Sequence, residues 1–561
     1  MMNYLFNSKR GLVSKFLISF SFIFILSLTS GLNAQSWNAL GTGTSGNVNA
    51  VTVFNGQLIA AGSFTTAGGV TVNNVAAWNG TSWSALGTGT DGVVYSLTIY
   101  AGQLVAAGGF SNAGGVSANH IARWNGTVWT NFGLGTNDTI YALAVFGGNL
   151  RAGGKFTTAG GVTCTRLASF NGTSWAAMGG GVNNSVYAMT VNGGNLVIGG
   201  SFTQANGFLT VNRITNYNGF TYSALGTGID SGQVQALSVF GGSVYAGGVF
   251  RTIGGATVNN IARWSGTNWN PVGSGITPGN IKSLSVSGAA LIVGGNFTNA
   301  SGTSANSIVS WSGSAFSALG NGITGGSAFV NGITTWSNVL IAGGSFTTAG
   351  TVSASNIAGY GSVPIAPTLI SPADGATNVT LTPGLVWSSV ANATTYGVQV
   401  STSPNFTTFI VNAVNLLVPT DTLASGLLMN STTYFWRATA SNGLGTSPFS
   451  LVRFFTTQGP SGIINNQTIP LSFKLYQNYP NPFNPVTQIK FDLPENNTPG
   501  AKLNFTIYNA EGQVVSSLLN QEYTAGQWEI SFDASNYSSG VYFYKLTAGN
   551  YTATNKMVLV K

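Results

Sequence analysis

Chemistry in this chain has very few residues to draw on. Between Gln35 and Gly361 the only carboxylates are Asp91, Asp138 and Asp230, and the first Glu anywhere is Glu495. Hydrolysis of a glycosidic bond by an acid and a base needs two carboxylates held at a set separation. Each of these three instead follows a Leu-Gly-x-Gly type stretch and reads first as a turn former. The single histidine, His120, excludes a multi-histidine metal centre and leaves a Ser-His-Asp arrangement without support. The single cysteine, Cys164, cannot form an intramolecular disulfide and reads as a small buried side chain. No metal and no cofactor is expected, and no Gly-rich phosphate loop is found.

A second pattern suits binding better than catalysis. Asn74, His120, Arg166, Arg213, Asn260, Ser307 and Asn356 recur at nearly even intervals, and all seven are polar. With Lys155 and Arg251 flanking the same loops, and Asp91, Asp138 and Asp230 expected on the same rim, they form the candidate ligand-binding set. It is a cationic, Asn-rich face suited to hydrogen-bonding a glycan or an anionic polymer; a solvated rim with no partner is the alternative. The net charge of +8 does not indicate nucleic acid, because three of the cations precede Gln35 and the others are dispersed.

The elements that must position these residues come from a repeat. Phe64, Phe110, Phe156, Phe202, Phe250, Phe297 and Phe346 each end a Gly-rich stretch, at intervals of 46, 46, 46, 48, 47 and 49 residues. In one unit, Val48 to Phe54 alternates as a strand, Asn55-Gly56 turns it and Gln57 to Gly62 returns; Val75 to Trp78 and Ser82 to Leu86 then form a second hairpin about Asn79-Gly80. Asn125-Gly126, Asn171-Gly172 and Asn218-Gly219 repeat that second turn. Four strands per unit at this period are the signature of propeller blades. The pairs Trp78/Trp83, Trp124/Trp129, Phe170/Trp175, Tyr217/Tyr222, Trp264/Trp269 and Trp311/Phe316 flank the second hairpins and read as inter-blade core. The seventh unit keeps only Tyr360, and the orphan Trp37-Asn38-Ala39-Leu40-Gly41 copies Trp83-Ser84-Ala85-Leu86-Gly87, so the N-terminal strand is expected to close the last of seven blades. The pattern Leu-x-x-Gly-Gly-x-Phe followed by Ile-Ala-x-Trp-Asn-Gly resembles kelch-like and cortical-marker-type propeller repeats. That resemblance implies no activity. A copper-radical oxidase on a kelch-type propeller would need more histidine, and sialidase-type Asp boxes are absent.

The flanking segments differ. Lys9, Arg10 and Lys15 precede the apolar run Phe16 to Leu28, so residues 1–34 read as a signal peptide, and no later stretch approaches the ~20 consecutive apolar residues of a transmembrane span. Residues 365–457, with Trp387 early and Tyr434-Phe435-Trp436-Arg437 late, resemble a fibronectin type III domain and are expected to act as a spacer. After a polar linker over 458–470 comes Tyr479-Pro480-Asn481-Pro482-Phe483-Asn484-Pro485, then Gly540-Val541-Tyr542-Phe543-Tyr544 and a terminal stretch from Lys556 to Lys561. These motifs in 471–561 are similar to the type A sorting domain of type IX secretion. The resemblance implies export, a translocon and a sorting-domain peptidase as partners, and a secreted or outer-membrane-surface location. Three prolines in Pro480 to Pro485 cannot donate ladder hydrogen bonds, so this segment is expected to be a rigid, exposed lead-in.

The expected fold is therefore all-β: a seven-bladed β-propeller over 35–361 followed by two β-sandwich domains. The expected function is an exported binding or adhesion protein whose propeller recognises a glycan or protein ligand. An extracellular polysaccharide-acting enzyme and a structural surface-layer protein remain the alternatives.

Overall fold

The computed structural model describes residues 35–458, 464–466, 469–495, 502–522 and 525–561. The expected leader, residues 1–34, and most of the expected linker lie outside the described residues. Among those described, all regular structure is β.

Residues 36–361 form seven four-stranded antiparallel sheets. The first contains Asn47–Phe54, Gln57–Ser63, Val75–Trp78 and Trp83–Ala85, in that order. The seventh contains Phe329–Trp336, Val339–Ser345 and Ile357–Gly361, and its fourth strand is Ser36–Ala39 from the other end of the chain. There Trp37 lies opposite Tyr360 with ring centroids 5.1 Å apart. The first strands of successive sheets touch in order, and that of the seventh touches that of the first, so the set closes on itself.

Local chemistry explains the sheets. The turn at Asn55-Gly56 has both residues at positive φ, 49° and 76°, as a type I′ turn requires. The second hairpin turns in another way. Only Gly80, not Asn79, has positive φ, because the Asn79 side chain caps the turn by accepting the N–H groups of Thr81 and Ser82, each at 2.9 Å. Asn125 does the same for Thr127 and Val128.

Each first strand carries a β-bulge near its start, and the extra residue is Asn49, Tyr95, Tyr141, Tyr187, Gln235, Lys282 or Asn331. Opposite the bulges stand Gly62, Gly108, Gly154, Gly200, Gly248, Gly295 and Gly344, where a Cβ would lie 1.8 to 2.2 Å from a carbonyl oxygen of the bulged strand. Any other side chain would force the two strands apart, which is why glycine returns at the repeat period.

Apolar faces pack sheet against sheet in a series of clusters. One runs from Phe54 and Ile59 of the first sheet to Leu104, Trp124 and Trp129 of the second. The expected aromatic pairs all touch, at 4.6 to 5.4 Å between centroids. Cys164 is buried in the same way, and burial pushes its thiol pKa up.

Residues 369–457 form two sheets that share a core containing Leu385 and Trp387 from one and Val398, Tyr434, Trp436 and Phe455 from the other. The N–H of Met429 donates to the Tyr434 hydroxyl at 2.8 Å, locking a bend five residues upstream. The C-terminal residues form two further four-stranded sheets around Ile489, Phe491, Phe505, Ile507, Ile530, Phe532, Tyr544 and Met557.

Candidate ligand face and sorting region

The polar ring singled out from sequence sits where the third strand of each sheet begins, and every member has positive φ, from 60° to 73°. Its side chains reach forward to the next repeat. Asn74 Nδ2 donates to Thr90 O at 2.8 Å, Arg213 to Ile229 O at 2.9 Å, Asn260 Nδ2 to Ile276 O at 2.9 Å, and Asn356 Nδ2 to Thr44 O at 2.8 Å. His120 Nδ1 lies 2.7 Å from Thr136 O, and Ser307 Oγ donates to Ala328 O at 3.4 Å. Arg166 bonds only within its own repeat, to Phe156 O at 3.4 Å, and its Nε is buried without a partner. Apart from Arg166, these side chains are staples between repeats, and Asn356 to Thr44 closes the circuit.

The aspartates occupy the same rim. Asp91 accepts from the N–H groups of Ser111 and Asn112, both at 2.8 Å, and from Asn112 Nδ2 at 2.7 Å. Burial raises its pKa, but those hydrogen bonds outweigh the effect and hold it below the usual carboxylate value. Ser45, Asn137 and Asn183 do the same work in neighbouring repeats, so Asp91 holds a turn. Asp138 accepts from Thr139 N–H at 2.7 Å, which lowers its pKa; partial burial opposes this, while Lys155 and His120 nearby lower it further. The structure therefore brings Asp138, His120 and Lys155 into one neighbourhood. Arg213 reaches the Asp230 carbonyl at 3.3 Å. Lys155 and Arg251 are exposed, and neither side chain makes a hydrogen bond or ion pair among the described residues.

Residues that the sequence reading passed over lie on the axis of the ring. Tyr141, Tyr187, Lys282, Ser283, Ser96 and Ala236, from five different sheets, line an open pocket of about 190 Å³. The rings of Tyr95, Tyr141 and Tyr187 form a row, with successive centroids 5.3 and 5.5 Å apart. Burial raises the Tyr141 pKa, so its phenol stays a donor. Burial pushes the Lys282 pKa down, and the one ion pair among the described residues, Lys490 with Glu529 at 3.6 Å, lies elsewhere. A signal existed in the sequence: at Tyr95, Tyr141, Tyr187 and Lys282 the alternation of the first strand slips by one residue, just after a buried Val or Ile.

In the C-terminal region, Tyr479, Pro480, Asn481, Pro482 and Asn484 are exposed, Pro485 is half-buried, and Phe483 is 2% exposed. The proline segment is thus not a wholly exposed lead-in. Phe483 pairs through its N–H and C=O with Val558 and Val560, at 2.9 and 3.0 Å, and Asn481 Oδ1 accepts from Val558 N–H at 2.9 Å. Pro480 and Pro482 lack donors, so the ties fall on the residues around them. Gln477 donates to Lys556 O at 2.7 Å, Lys561 N–H donates to Ser539 Oγ at 3.0 Å, and Gly540 opens the strand Gly540–Ala548.

Two stretches of the chain match family models. Residues 477–561 match the family model for a secretion system C-terminal sorting domain, and residues 102–126 match a domain of unknown function described as a β-propeller. The sorting domain marks the chain for the type IX secretion system and delivery to the cell surface or the extracellular space. No described helix is long and apolar enough to cross a membrane. No curated protein matches the chain. Among solved structures, the FN1–FN3 domains of chicken CNTN1 match at 14% identity and TM-score 0.15, over 40% of this chain and 77% of that one. An α-L-rhamnosidase from Dictyoglumus thermophilum matches at 12% and 0.16, over 35% and 29%. The chicken interferon gamma receptor alpha chain matches at 12% and 0.13, over 36% and 99%. Scores this low assign neither a fold nor a function.

Proposed function

We propose that the chain is an exported recognition protein. In this reading residues 35–361 are a seven-bladed propeller that binds a glycan or protein ligand, residues 365–457 a fibronectin type III-like sandwich that spaces it, and residues 471–561 a second sandwich that sorts it. The single observation that carries the binding role is the open axial pocket, in which a cation and phenols face solvent with no internal partner. Lys155 and Arg251, also free on the rim, extend the surface, whereas His120, Arg166, Arg213, Asp91, Asp138 and Asp230 are held in or beside the inter-repeat hydrogen bonds. A hydrolase would need a free pair of carboxylates, and Asp91 has both oxygens engaged in a turn.

The test is an array of envelope and extracellular polysaccharides probed with the full exported chain, followed by product analysis on every hit. Binding without product is the expected result. Release of product would replace the recognition role with a catalytic one, and silence across the array would remove the glycan reading.

A further inference from the structure

Resting on that recognition role, we infer that the axial pocket is the ligand site and that it takes an acidic saccharide, one uronate-type sugar at a time. Seven bulge residues surround the axis, and they divide into two kinds. Asn49 Nδ2 donates to Val94 O at 3.0 Å and Asn331 Nδ2 to Val48 O at 3.2 Å, so these two span to the neighbouring sheet, Asn331 across the closing seam. The other five make no such bond. Tyr95, Tyr141 and Tyr187 lie on consecutive sheets as an aromatic arc whose hydroxyls have no hydrogen-bond partner among the described residues. Lys282 stands three sheets on from Tyr141, and both line the pocket.

A closed ring of sheets stapled elsewhere by carbonyl-directed amides has no structural need for a lysine and three free phenols on its axis. Half-buried and unpaired, the Lys282 ammonium has lost hydration without gaining a counter-charge, and a ligand carboxylate supplies one. The faces of Tyr141 and Tyr187 suit the C–H faces of a pyranose, and their hydroxyls donate to ring or hydroxyl oxygens. A pocket of about 190 Å³ is below the ~300–1,000 Å³ typical of drug-sized ligands, so it admits one ring at a time. The single cation in the lining, Lys282, matches one carboxylate.

The test is calorimetric titration of the full exported chain with tetrasaccharides of galacturonate, glucuronate and mannuronate, each compared with its methyl ester. We expect at least one acid to bind and its ester to bind about 10-fold more weakly or worse. Lys282→Met and Tyr141→Ala should each weaken the acid about 10-fold or more with an unchanged thermal midpoint. Lys282→Arg should retain it, and the Lys155→Gln/Arg251→Gln double variant should stay within about 2-fold. Equal binding of acid and ester overturns the charge assignment. Acid binding that survives Lys282→Met and Tyr141→Ala, or that is lost in the double rim variant alone, overturns the site. If no uronate binds while neutral glycans bind on the array, this inference falls and the recognition role stands; if the array is silent too, this inference and the glycan reading both fall.

Discussion

At the scale of residues, the same polar side chain can hold a fold together or meet a ligand, and its hydrogen bonds decide between them. Asn260 makes the point. Its Nδ2 donates to Ile276 O and Gly279 O at 2.9 and 3.1 Å, its Oδ1 accepts from Phe250 N–H at 3.0 Å, and it is 7% exposed. Replacing it leaves those backbone groups buried and unpaired and puts a Cβ-only side chain at φ 70°, where Asn is tolerated better than most residues. Asn260→Ala is therefore expected to cost about 1–3 kcal/mol, read as a lower midpoint for the fluorescence-detected unfolding of the tryptophan-rich sheets. An unchanged midpoint would show that the staple contributes nothing.

At the scale of elements, closure depends on a strand that arrives from far along the chain. Ser36–Ala39 pairs with Ile357–Gly361 residue for residue, and Trp37 Nε1 donates to Leu319 O at 2.8 Å. The other fourth-strand tryptophans repeat that bond around the ring: Trp83 to Leu40 O, Trp129 to Leu86 O, Trp175 to Phe132 O and Trp269 to Leu225 O, at 2.7 to 2.9 Å. Without Ser36–Ala39 the Ile357–Gly361 edge would carry unpaired N–H and C=O groups, an invitation to pair with another copy. A chain beginning at Gly41 is expected to self-associate at micromolar concentration in sedimentation velocity, whereas the chain beginning at Gln35 stays monomeric. A monomeric truncated chain would mean that the edge is protected in some other way.

At the scale of the whole molecule, the export signal lies in the C-terminal segment, apart from the sheets for which a recognition role is proposed. The C-terminal sheets bring Tyr479 to Pro485 against the final strand Tyr551–Leu559, so the motif and the last strand stand or fall together. Phe483→Ala would remove a core side chain, at a cost of about 3–5 kcal/mol. Removal of residues 477–561 is expected to abolish appearance of the chain outside the cell and to leave it in the periplasm, scored by fractionation. Export without that segment would overturn its role as the sorting signal.

Much of this was legible in the chain itself, because repetition converts local rules into architecture. The 46-residue period, the Asn-Gly turns, the aromatic pairs and the proline-marked tail each follow from short-range chemistry that a sequence displays directly. So does the kinship of Trp37-Asn38-Ala39 with Trp83-Ser84-Ala85, the strands that occupy corresponding fourth positions in the seventh and first sheets. Which polar residues were free could not be read this way. Arg213 and Lys155 look alike in sequence, but one is bonded to Ile229 O and the other to nothing, and that difference is set by where the next repeat's carbonyls fall. The axial residues were hidden for a related reason. A bulge shifts the facing of a strand by one residue, so Tyr141 and Lys282, which alternation alone places on an ordinary sheet face, are turned to the centre only when the sheets close into a ring.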